Sequence, residues 1–75
     1  MLLREFAVEN HTISLIQDGE LYIAEVTNKS GKKLFYHEYK DYEKIKGCFD
    51  EIVQAIESEK TGIKDVVGIL DKSTI

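Results

Sequence analysis

Residues 13–24 read Ile13-Ser14-Leu15-Ile16-Gln17-Asp18-Gly19-Glu20-Leu21-Tyr22-Ile23-Ala24. Two runs of large apolar residues flank an Asp-Gly step, the strongest short-range signal for a β-hairpin. A tight turn fixes strand register, and register decides which side chains share a face. Most of the domain follows from this turn.

Outward from it, residues 12–17 and 20–27 form the two strands of the hairpin. Upstream, residues 2–9 alternate, with Leu2, Arg4, Phe6 and Val8 set against Leu3, Glu5 and Ala7. That period of two marks another strand. Glu9-Asn10-His11 joins it to the hairpin, because Asn tolerates the left-handed conformation. Downstream, Asn28-Lys29-Ser30-Gly31 is a second turn signal, and residues 32–39 are a fourth strand. The period then changes. Tyr42, Ile45, Phe49, Ile52, Val53 and Ile56 recur at helical spacing. Asp41 suits the N-cap and Glu43 the positive end of the helix dipole. Thr61-Gly62 is the expected stop, so the helix spans about residues 41–60. Gly47 inside it is either a neutral surface position or a point of close backbone approach. The stretch from Ile63 to Ile75 is open to three readings: a short strand, a helix or a tail. Asp71-Lys72-Ser73-Thr74 reads as frayed.

With Asp18-Gly19 as the turn, Gln17 opposes Glu20, Leu15 opposes Tyr22 and Ile13 opposes Ala24. The other turns place Val8 near Ile13, Phe6 near Leu15, Val26 opposite Lys33 and Ala24 opposite Phe35. One face then collects Phe6, Val8, Ile13, Leu15, Tyr22, Ala24, Val26 and Phe35, and takes the helix. The opposite face holds Ile16, Leu21, Ile23, Leu34 and Tyr36 among Ala7, Ser14, Glu5, Thr12, Glu25, Lys32 and Glu38. A solvated antiparallel face normally turns polar. Five large apolar side chains there point to an interaction surface. Three readings of that face stand side by side. It binds a partner or a second copy, the C-terminal segment folds over it, or a bulge reverses one strand.

Composition narrows the function classes. A 75-residue chain is one small domain, and it buries only roughly 60% of its unfolded surface. A single cysteine provides neither a disulfide framework nor a zinc quartet. The net charge of −4 argues against a general nucleic-acid or membrane-surface binder. No stretch reaches membrane-spanning length, and the N-terminus lacks the pattern of a signal peptide, so a cytoplasmic location is expected.

Residues that carry chemistry are sparse. His11 and His37 sit at the ends of the helix-facing side, with no third ligand at a telling spacing. Cys48 lies among apolar helix positions without the base or electropositive setting of a reactive thiol. Neither a catalytic residue, a metal site nor a cofactor is expected. Tyr36, Tyr39 and Tyr42 cluster at the join of the fourth strand and the helix. Tyr39 and Tyr42 read as packing, while Tyr36 reads equally as packing or as an interface anchor. Lys29, Lys32, Lys33, Lys40, Lys44 and Lys46 interleave with Phe35, Tyr36 and Tyr39 in the manner of a single-strand stacking platform. Glu25, Glu38, Asp41 and Glu43 break that strip, which favours a solvated mixed-charge surface.

The stretch Glu38-Tyr39-Lys40-Asp41-Tyr42-Glu43-Lys44-Ile45-Lys46-Gly47-Cys48-Phe49-Asp50-Glu51-Ile52 resembles a group of small uncharacterised proteins of Firmicutes and their phages. The match lies at Glu38, Tyr39, Lys40, Asp50, Glu51 and Ile52. It departs at Ile45, where that group prefers Ala, and at Gly47. The resemblance implies a strand meander followed by a helix and a mobile-element origin, and brings no functional residue with it. In architecture alone the chain is similar to the PC4-like single-stranded DNA binders, whose basic sheet surface it lacks.

The sequence thus predicts an α+β protein: a four-stranded antiparallel β-meander with one long helix on one face (ββββα) over residues 1–62, followed by a C-terminal extension over 63–75. The expected function is a non-enzymatic protein-binding, inhibitory or regulatory role, of phage or prophage origin. It acts through Ile16, Leu21, Ile23, Leu34 and Tyr36 as a homodimer or against a protein partner. The alternative is a PC4-like single-stranded nucleic-acid binder using the strip from Lys32 to Lys40.

Overall fold

The computed structural model describes residues 1–58 and 61–74. Four antiparallel strands form one sheet in chain order: β1 (Leu2–Val8), β2 (His11–Asp18), β3 (Leu21–Asn28) and β4 (Lys33–Tyr39). Two helices follow, α1 (Tyr42–Glu57) and α2 (Ile63–Lys72). The protein is therefore α+β, and of the readings open for residues 63–75 the structure takes the helix.

Each turn has its own chemistry. Glu9 and Asn10 both take positive φ, at 48° and 63°, the requirement of a type I′ turn. The central hairpin turns at Gly19-Glu20, not at Asp18-Gly19, because Asp18 pairs with Leu21. Gly19 alone has positive φ there, at 63°, as the first central residue of a type II′ turn demands. In the third turn the Asn28 side-chain Oδ1 accepts hydrogen bonds from Ser30 N at 3.0 Å and Lys32 N at 2.9 Å. Gly31, at φ 90°, closes that loop.

These turns displace each expected register by two residues. Val8 pairs with His11 rather than Ile13. Gln17 pairs with Tyr22 rather than Glu20. Val26 pairs with Phe35 rather than Lys33. A shift of two preserves the face of every side chain, since strand side chains alternate with period two. The helix-facing set accordingly holds: Val8, Ile13, Leu15, Ala24 and Val26 are buried, and Phe6, Tyr22 and Phe35 pack against them.

The α1 helix begins as the sequence indicates, with the Asp41 side chain accepting from Glu43 N at 3.0 Å. Its C-cap is Ser58. The expected end at Lys60 lies outside the described residues. Gly62 does not close α1. It is the N-cap of α2, at an extended φ of −99°. Ile45, Phe49 and Ile52 of α1 are fully buried, and the Phe49 ring lies 6.2 Å from that of Phe6. A side chain at Gly47 would meet nothing within 4 Å, so no close approach explains that glycine.

The α2 helix packs into the same core through Val66 and Leu70, both fully buried. Two long-range contacts fasten it, and its start is capped from within. The Glu9 carboxylate accepts the backbone N–H of Ile63 at the helix start, where the helix dipole favours negative charge. Gly62 N donates to Asp65 at 3.1 Å. At the far end the Tyr39 hydroxyl and Ser73 Oγ are 2.6 Å apart. Ser73 and Thr74 also donate to the carbonyls of Leu70 and Asp71. The segment expected to fray is thus tied down through Thr74.

Candidate interaction surface

Both helices occupy one side of the sheet. The cross-strand pairs define what lies on the other. One row runs Leu2–Ile16–Ile23–Glu38, the next Glu5–Ser14–Glu25–Tyr36, and the next begins Ala7–Thr12–Thr27. Leu21 extends the first row toward the Gly19-Glu20 turn, opposite Asp18. The apolar residues therefore gather at one end of the face rather than spreading across it.

Two bulges alter the expected membership. Between Leu2 and Arg4 the β1–β2 register shifts by one residue, which moves Leu2 onto the helix-free face opposite Ile16. Leu2 is 54% exposed. Between Val26 and Thr27 the β3–β4 register shifts likewise, with Leu34 as the extra residue. Leu34 shares a small apolar cleft with Ile63, Lys64 and Val67 of α2. It thus borders the helix side, contrary to its expected place beside Tyr36. Residues with one neighbour fewer across the strand are the ones a bulge re-aims. The sequence offers no sign of either bulge beyond the Leu2-Leu3 doublet, which breaks clean alternation. The described part of the C-terminal segment does not cover the face, because α2 packs into the core with α1 on the other side.

Among the expected site residues, Ile16, Leu21, Ile23 and Tyr36 share the helix-free face. Ile23 is only 8% exposed yet stands outside the main core cluster. Its register neighbours are Ile16 and Glu38. Ile16 and Leu21 are half-buried, and Tyr36 is 48% exposed. Lys33 places its Nζ 5.0 Å from the centre of the Tyr36 ring and pairs with Glu25 at 3.0 Å.

The other candidates fall into structural settings. Cys48 is buried, its Sγ 3.7 Å from the carbonyl of Ile69. Burial pushes its thiol above the ordinary value, so it stays protonated and poorly nucleophilic at neutral pH. His37 makes an edge-to-face contact with Tyr39, ring centres 4.7 Å apart. His11 Nδ1 lies 2.7 Å from the carbonyl oxygen of Glu9. Tyr39 is buried, and Tyr42 packs on Tyr22 at 4.9 Å. Among the described residues no group of three His, Cys, Asp or Glu side chains converges as a metal site. Among the described residues no helix is long and apolar enough to cross a membrane.

Comparison of the chain with protein-family models, with curated proteins and with solved structures finds no match.

Proposed function

We propose that this chain is a small non-enzymatic binding protein, of the inhibitory or regulatory kind, that works by burying the helix-free face of its sheet against another polypeptide. The observation that carries this reading is the placement of Leu2, Ile16, Leu21, Ile23 and Tyr36 on a face that neither helix covers. A domain this small has little apolar surface to spare from its core. Leaving Leu2 and Tyr36 exposed and Ile16 and Leu21 half-buried on an open face costs solubility, and a partner that covers the face offsets that cost. The phage or prophage setting rests on the Glu38–Ile52 likeness alone.

The nucleic-acid reading is weaker. It needs a basic strip with free lysines, and Lys33 is already engaged by Glu25. Glu25 and Glu38 also occupy the face that an oligonucleotide would follow.

The test is sedimentation over a concentration series, combined with affinity capture from the source cells, on wild type and Ile16→Glu. The expected result is an association, with itself or with one protein, that the variant loses while keeping its circular dichroism. A wild type that stays monomeric and retains nothing the variant loses would overturn the reading.

A further inference from the structure

We propose that the occupant of the helix-free face is a cationic amphipathic helix of a different protein, rather than a second copy of this chain. This rests on the reading of that face as a binding surface and adds the chemistry of the partner.

The distribution of residues across the four strands supports it. Ile16, Leu21 and Ile23 stand on the two central strands, β2 and β3. The same face carries a carboxylate on each outer strand, Glu5 on β1 and Glu38 on β4, both exposed. Four residues of β2, about 14 Å, separate the row of Glu5 from that of Asp18, with the apolar row between them. A helix with its side chains is about 10–12 Å across. A helix laid across the strands along the row Leu2–Ile16–Ile23 therefore sets its apolar stripe on those residues, with Asp18 beside one flank, Glu5 beside the other and Glu38 at the β4 end. Lysines or arginines beside the stripe would meet Glu5 on one side and Asp18 on the other, and a further one Glu38 at the end of the row.

Charge distinguishes this occupant from a second copy. Asp18 adds a further carboxylate beside Leu21. Lys33 is already bound to Glu25. Among the described residues no ion pair engages Glu5, Asp18 or Glu38. A two-fold pair formed through this patch brings together two rims that each carry Glu5, Asp18 and Glu38. Like charges juxtaposed in an interface oppose association, and opposite charges favour it.

The sheet edges direct binding to the face. Each outer strand carries a bulge, in β1 between Leu2 and Arg4 and in β4 beside Val26 and Thr27. Bulges at edges disfavour the addition of a further strand. A helix on the face needs no free edge.

The experiment measures fluorescence anisotropy with three labelled helical peptides. The first has leucines at helical spacing flanked by lysines. The second has the same leucines flanked by glutamates. The third has the lysines with the leucines scattered. Wild type is expected to bind the first at least about tenfold tighter than either other, and binding should weaken as salt rises. Ile16→Glu is expected to lose that binding. The double variant Glu5→Lys, Glu38→Lys, altered at two exposed positions, is expected to favour the glutamate peptide instead.

Equal binding of the first two peptides, or binding of none, overturns the proposal. If wild type instead forms a dimer that Ile16→Glu dissociates, the face is an interface but its occupant is a second copy. If wild type and Ile16→Glu behave alike in every assay, the binding-surface reading fails as well.

Discussion

Leu15 and Ile16 are neighbours in the chain and face opposite sides of the same sheet. Leu15 is fully buried beneath two helices, while Ile16 is half-buried on the side that neither helix reaches. On the helix side, Val66 and Leu70 of α2 complete what α1 leaves open, and no buried side-chain polar atom among the described residues lacks a hydrogen bond. On the other side the apolar residues lie at one end, with Glu5, Asp18 and Glu38 around them. The difference separates two uses of hydrophobic residues. One set holds the fold, and the other is held by it.

The sharpest way to break this contrast is to truncate the two neighbours. Leu15→Ala should destabilise the domain by about 2–5 kcal/mol, because it opens a cavity in a filled core. Ile16→Ala should cost less than about 1 kcal/mol, since its site is partly solvated already. Urea unfolding reads both, and equal costs would erase the distinction between the faces.

The attachment of α2 is the next test. Glu9→Ala removes the acceptor at the start of that helix and should cost about 1 kcal/mol, as the loss of an N-cap does. Hydrogen exchange should quicken first at Val66 and Val67, ahead of the strands. Exchange that changes uniformly would mean Glu9 does not fasten α2. Tyr39→Phe removes the hydroxyl that meets Ser73 and should cost about 0.5–1.5 kcal/mol. Tyr36→Phe, on the open face, should leave the thermal midpoint unchanged.

Smaller effects follow from the environment of single groups. Gly47→Ala should stabilise α1 by up to about 1 kcal/mol, because the position is exposed and a methyl group meets nothing there. Alkali should act in the other direction. Burial raises the Cys48 thiol above 9.0 and the Tyr39 hydroxyl above 10.0. Below those values both the folded and unfolded chains keep the protons, and the native state bears no penalty. Above them the unfolded chain releases protons more readily, so stability falls as pH rises. Urea midpoints between neutral pH and pH 10 should decline, and Cys48→Ala should flatten part of that decline.

The faces were legible in the sequence for a specific reason. Each expected register was displaced by two residues, and a two-residue error moves no side chain to the other side. The Asp18-Gly19-Glu20 segment admits two tight turns, with Gly19 second in one or first in the other. The structure takes the latter. Leu2 and Leu34 were misplaced because a bulge is a one-residue event, and one residue does reverse a face. The C-terminal helix was ambiguous because Val66, Val67, Ile69 and Leu70 form a run too short to separate helix from strand by period. What fixes it as a helix is distant in sequence: Glu9 from the first turn and Tyr39 from the last strand. Gly62, which suggested a helix end, sits instead at a helix start. A side chain there would come within 2.6 Å of Glu9 Oε1.

The central claim is that the helix-free face meets another polypeptide and the helix side does not. Tyr36 and Tyr42 allow a matched comparison, being 48% and 37% exposed on opposite sides of the sheet. A photocrosslinking amino acid placed at each position in turn, in the cells that make the protein, tests the claim most directly. The expected result is one discrete adduct from position 36 and none from position 42. Adducts from position 42 alone, or the same adducts from both, would contradict it.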